Sequence, residues 1–181
     1  NRIPAKLVGV VAGDEYKVKP NLFVRVFETP HNRDSVGYCV LERRKKLKPE
    51  YGELNGREIV ELKKQGITID YRMEIPLVSY LGDSEYGDFA KLDYVANSRI
   101  LVTECTFFKD EHISRARAGK HLHAQDLEQL MNEMNNEYVV LIHASQRTPA
   151  GLIKKTLRKT LSAENFERVV LLMDRKNFGG K

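Results

Sequence analysis

The sequence predicts a layered α/β sandwich, a β-rich first third followed by alternating strands and helices. Two observations carry that expectation. Up to residue 41 the chain is a series of short runs rich in β-branched and aromatic residues, broken by Gly, Pro and Asn as in hairpins. After Asp70, apolar runs of strand length alternate with stretches whose apolar residues recur at helical spacing. Strand–helix units that follow a β-rich half bury their apolar faces by stacking helices on a sheet.

Taken in order, strands are expected at 6–11, 16–18, 22–27 and 36–41. The basic run from Arg43 to Lys48 then leads into a Pro and Gly turn and a short helix over Arg57 to Gln65, stopped by Gly66. Strands at 76–81 and 100–104 flank a short helix at 89–96. Leu127, Leu130, Met131 and Met134 fall at i, i+3, i+4 and i+7, the apolar face of a helix, and a strand follows at 138–142. Thr148-Pro149 reads as a helix start, with the hydroxyl as cap and proline at the first helical position, and Ile153, Leu157 and Leu161 as the buried stripe. A strand at 169–173 closes the series.

At 181 residues and 41% apolar, the chain can bury a core of its own and is expected to form a single domain over 1–181. It carries 30 Lys and Arg against 25 Asp and Glu, a formal +5, which favours anionic partners without requiring a nucleic acid. The basic run reads as a solvated face, with phosphate contact as the alternative. Cys39 and Cys105 each sit inside an apolar run with no second thiol nearby. They are expected to be buried and reduced, which points to the cytoplasm. No apolar stretch approaches the roughly 20 residues that span a bilayer, and no signal-peptide pattern opens the chain, so no membrane partner is expected.

The chemistry lies in the residues that end the strands. Asp83 follows Leu81-Gly82, where glycine lets the backbone turn and the carboxylate face a cleft; the plainer reading is an Asp that opens a turn. His143 ends the run Val139-Val140-Leu141-Ile142, where a hydrogen-bonded structural role is the alternative. Glu104 ends Ile100-Leu101-Val102-Thr103. Carboxylate oxygen and imidazole nitrogen are the donors zinc and manganese take when thiolates are absent, and strand C-terminal edges are where open α/β sheets place their chemistry. The pair Asp83 and His143 suggests a metallo-hydrolase with an incomplete ligand set. His121-Leu122-His123 reads either as a two-ligand clip or as a polar helix entry. A histidine held by a carboxylate such as Glu104 makes a better proton donor near neutral pH. His112, amid Lys109-Asp110-Glu111, is expected to be exposed and without a role.

The ordered set Ser35-Val36-Gly37-Tyr38, Leu81-Gly82-Asp83, Thr103-Glu104-Cys105-Thr106, His121-Leu122-His123 and Leu141-Ile142-His143 resembles the C-terminal half of ribonuclease Z, within the metallo-β-lactamase superfamily. The resemblance covers most of the chain. It implies an αββα four-layer sandwich of which this chain is one portion, with the half that bears the metal motif expected upstream of Asn1. It implies that Asp83 and His143 are metal ligands, that Glu104 supports His121 as proton donor, and that the complete domain holds two zinc ions, with manganese as the alternative. The activity implied is endonucleolytic cleavage of an RNA phosphodiester, with a transfer RNA 3′ trailer as the usual target and a homodimer as the assembly. Departures are visible. Thr103 and Cys105 replace a histidine and an alanine of one family motif, the Gly/Pro-rich arm is reduced to the basic run and a short helix, and His-x-His-x-Asp-His is not in the sequence. The alternatives are a hydrolase of a small ester, a lactone or another phosphodiester, and a non-catalytic scaffold.

Overall fold

The computed structural model describes residues 6–145 and 147–172; Asn1 and Met173, where the missing half and the end of the last strand are expected, lie outside them. Strands β1 (Glu15–Lys19), β2 (Leu22–Thr29), β3 (Ser35–Leu47), β4 (Asp70–Tyr80), β5 (Ile100–Glu104), β6 (Tyr138–Ile142) and β7 (Val169–Leu171) form one sheet in sequential order. The first four pair antiparallel, and β4 to β7 pair parallel. This split follows from the connections. Short turns return the chain antiparallel between β1, β2 and β3, a longer excursion over 48–69 does so between β3 and β4, and the helical segments after β4 let the chain cross over and re-enter in the same direction. The parallel pairing brings the C-terminal ends of β4, β5 and β6 to one edge of the sheet.

The two faces of the sheet differ. Cys39, Leu41, Leu101, Val139, Leu141 and Leu171 are buried on one face, in a core shared with Leu127, Leu130 and Met131 of α4 (Leu127–Asn132) and with Ile153 and Leu157 of α5 (Ala150–Thr160). The alternate residues Tyr38, Val40, Val78, Ile100, Val102, Val140 and Val170 form an equally apolar opposite face that is only half-buried, and Tyr80 and Tyr138 on it are each 42% exposed. Helices therefore cover one side of the sheet, giving two layers of the four expected. No described helix is long and apolar enough to cross a membrane.

Several elements differ from expectation for identifiable reasons. Residues 6–11 are not a strand; Leu7 is 97% exposed, because the run has no strand to pair with and no face to bury. The basic run leads into the expected turn at Pro49–Tyr51, but it also completes β3, whose outer half pairs with Asp70–Pro76 as a two-stranded ribbon. Its tip carries α1 (Gly56–Lys64), opened by an Asn55–Glu58 capping box and burying no residue. At the base of the ribbon Arg43 and Arg25 share Glu15 and Glu74 at 2.6–3.0 Å. The helix expected at 89–96 is a 3-10 turn (Asp88–Lys91) followed by the short α2 (Asp93–Ala96). Pro149 occupies the N-cap position itself, so Thr148 does not cap α5. Helices α3 (Ile113–Gly119) and α6 (Ala163–Arg168) were not anticipated, since neither carries an apolar stripe long enough to register as periodic.

Leu101 is fully buried at the centre of the core whereas Val60 on α1 is 51% exposed. Leu101→Ala is expected to cost about 2–5 kcal/mol in urea denaturation and Val60→Ala within about 0.5 kcal/mol.

Candidate functional site

Asp83 leaves the end of β4 through Gly82, whose φ of 68° is a backbone conformation that glycine adopts without strain. His143 follows β6 directly and itself takes a φ of 57°. A side chain with a Cβ is uncommon there, and such outliers gather at functional sites because the surroundings must hold them. The turn re-aims the imidazole toward the Asp83 loop, and His143 Nδ1 lies 3.3 Å from Asp83 Oδ1. Both side chains are about half exposed.

Glu104 ends β5 and is completely buried. Its Oε1 accepts from the backbone N–H of Ser84 at 3.1 Å and meets His121 Nδ1 at 2.5 Å, and its Oε2 accepts from the Thr106 hydroxyl at 2.6 Å. Thr106 Oγ1 is in turn 3.0 Å from His143 Nδ1. His121 enters from another direction, after the left-handed Lys120 that ends α3, with its backbone N–H bonded to Ala116 O at 2.9 Å. Its ring centroid is 5.7 Å from that of His143. Because Nδ1 is committed to Glu104, Nε2 is the nitrogen left for another partner.

One donor atom each from Asp83, His121 and His143 lies within 4.8 Å of the others. The Asp83 carboxylate and the His143 imidazole are donors of the type a zinc ion takes and make two of the three protein donors of a catalytic site, so the pair fits part of a divalent-metal shell, with His121 standing beside it. The cysteines take no part. Burial first, then the charges of Glu104 and Asp126, holds the Cys105 thiol well above its ordinary range, and burial likewise raises that of Cys39.

The two-ligand clip is overturned. His123 is buried and turns away, its Nε2 at 3.0 Å from Lys109 O and its Nδ1 accepting from Gln125 N–H as the cap of a 3-10 turn. His112 also differs from expectation. It is partly buried, sits edge-on to Phe107 at 5.8 Å, and lines a cavity of about 700 Å³ that opens beside His143. Phe107, Lys109, Arg115 and Arg147 line the same cavity, and no carboxylate does among the described residues. The Arg115 guanidinium lies 5.6 Å from the Phe107 ring centroid. Sequence reasoning did not single out His31, whose ring is 5.1 Å from that of His121. Its lone position between two strands gave no periodic or motif signal.

These contacts make Glu104 the group whose loss should be felt most. Glu104→Ala removes the acceptor of three hydrogen bonds and is expected to destabilise by about 3–5 kcal/mol in chemical denaturation, with the smaller loss for Glu104→Gln.

One sheet flanked by helices, with metal-type donors gathered where parallel strands end, defines a chain of the metallo-β-lactamase fold. The metallo-β-lactamase fold protein YhfI from Bacillus subtilis superposes with a TM-score of 0.56 at 13% identity, over 91% of this chain and 52% of that one. By sequence the chain is similar to proteins named tRNase Z. It is 34% identical to tRNase Z TRZ1 of Arabidopsis thaliana over 145 residues, which is 78% of this chain and 51% of that protein. It is 30% identical to the chloroplastic tRNase Z TRZ2 of the same plant over 163 residues, 87% of this chain and 45% of that protein. The chain thus spans about half the length of the curated relatives it matches. No family model matches it.

Proposed function

We propose that the complete protein is a metal-dependent phosphodiester hydrolase of the ribonuclease Z type, cutting RNA endonucleolytically with a transfer RNA precursor as its substrate. The observation that carries this reading is the convergence of Asp83, His121 and His143 on one sheet edge, with Glu104 buried behind His121. Asp83 and His143 hold zinc, with manganese as the alternative, and two ions are expected in the complete domain. Bound there, the metal supplies Lewis-acid stabilisation of charge on the phosphoryl oxygens and lowers the pKa of water.

The residues of this chain do the remaining work. Lys109, Arg115 and Arg147 offer a cationic wall to phosphates flanking the bond to be cut, and Phe107 offers an aromatic surface to an unstacked base. His121, held through Nδ1 by Glu104, donates its proton from Nε2 to the departing ribose oxygen. The relatives named tRNase Z favour an RNA substrate over a small ester or lactone and over a non-catalytic scaffold. The two buried free thiols support a reducing compartment such as the cytoplasm.

The chain is read as one portion of a single domain whose other half lies upstream and covers the open apolar face of the sheet. An exposed apolar surface of that extent is what a missing layer leaves behind. The isolated 181 residues are then expected to bind zinc weakly and to leave RNA intact, while an upstream-extended protein binds zinc stoichiometrically and cleaves. Zinc titration and a precursor transfer RNA assay on both proteins, with light scattering to check for the expected homodimer, decide this. Tight zinc and cleavage by the short chain would show that the site is complete without the other half.

In the extended protein, His121→Ala is expected to slow cleavage by roughly 10²–10⁴-fold with metal content near normal. Loss of metal in that variant would make His121 a ligand, and unchanged cleavage would remove it from the reaction.

A further inference from the structure

We propose that the loop joining β2 to β3 is a strut that sets the separation of Asp83 and His121, with His31 and Asn32 as positioning residues for His121. This inference rests on the hydrolase reading for its kinetic consequence but not for its geometry. The loop touches both halves of the site. At one end the carbonyl of Pro30 accepts from the backbone N–H of Glu85 at 3.0 Å, two residues past Asp83. Contact there is close enough that a Cβ on Gly87 would lie 2.6 Å from the Pro30 ring.

At the other end, two consecutive side chains reach the turn that delivers His121. His31 donates from Nδ1 to Lys120 O at 3.1 Å, and Asn32 donates from Nδ2 to Gly119 O at 3.0 Å. Those carbonyls close α3, where the last C=O groups of a helix lack partners along the chain. Lys120, at φ 51°, is a non-glycine residue in the left-handed region, so the turn needs external support to hold it. The His31 ring then stands edge-on to His121, with centroids 5.1 Å apart and planes at 66°. Behind His121 there is no slack, since a Cβ on Gly119 would come 2.8 Å from its Cδ2.

Glu104 already bridges the same two segments from inside, through Ser84 N–H and His121 Nδ1. The loop is a second bridge on the outer side. A contact that only tethered the loop could fall anywhere along α3. Here both bonds end on the two residues immediately before His121, and the opposite anchor is in the Asp83 loop. With the inner bridge alone, His121 is free to pivot about its Nδ1 bond, and the proton on Nε2 moves away from the departing oxygen.

The test uses the metal-loaded, upstream-extended protein with a precursor transfer RNA as probe, whose departing ribose oxygen needs a proton. His31→Ala and Asn32→Ala are expected to lower kcat by roughly 10–100-fold, the usual effect of removing a group that orients a site residue, with KM, metal content and melting temperature unchanged. His31→Asn, whose Nδ2 can stand near the position of the imidazole Nδ1, is expected to restore most of kcat. Wild-type kcat in both alanine variants overturns the proposal, as does a loss that tracks the unfolded fraction and is not restored by asparagine. If the wild-type protein does not cleave the probe, the hydrolase reading fails. Nitrogen-15 spectra of the His121 ring then decide the strut separately, with displaced resonances in His31→Ala expected and unchanged ones overturning it.

Discussion

The arrangement depends on one buried carboxylate. Glu104 has no exposed surface, and a bare carboxylate in such a place carries a desolvation cost that only good hydrogen bonds offset. Its partners come from three separate stretches of chain: the loop after β4, the segment after β5 and the turn after α3. Each of these stretches must therefore be in its native position for the carboxylate to be accommodated. The same bonds hold Asp83, Thr106 and His121 in register with His143, so the constraint that makes the site costly to build also makes it rigid.

The sheet supplies the frame for that constraint. Its parallel half aligns the ends of β4, β5 and β6, so that three loops emerge side by side without any one of them having to be long. The antiparallel half does different work. Its outer ribbon extends past the core, carries an ion-pair network at its base and lifts α1 away from the rest of the molecule. The basic run thus belongs to a surface separate from the cationic cavity beside His143, and the two cannot be ranked by charge alone.

A sheet with one covered face and one open apolar face gains less from burial than one covered on both sides. Burial of apolar side chains is its main favourable contribution, and on the open face Tyr80 and Tyr138 remain 42% exposed. At the site, Asp83 and His143 stand together beside His121, next to a cavity lined by cationic side chains.

Much of this was legible in the order of residues. Alternating apolar runs located β2, the inner halves of β3 and β4, and the strands β5 and β6, because strand burial imposes a local pattern. The residues that stop those runs, Asp83, Glu104 and His143, marked the sheet edge for the same reason. What the sequence could not decide was anything that depends on contact between distant segments. The strand-like run at 6–11 stayed unpaired because no partner reaches it. His121 and His123, two residues apart and alike in type, part company because one meets Glu104 and the other meets the carbonyl of Lys109. His31, without a motif to announce it, comes beside His121 only when the loop after β2 folds over the end of α3. Local periodicity is written residue by residue, whereas the partner of a polar side chain is chosen by the three-dimensional packing that brings it within about 3 Å.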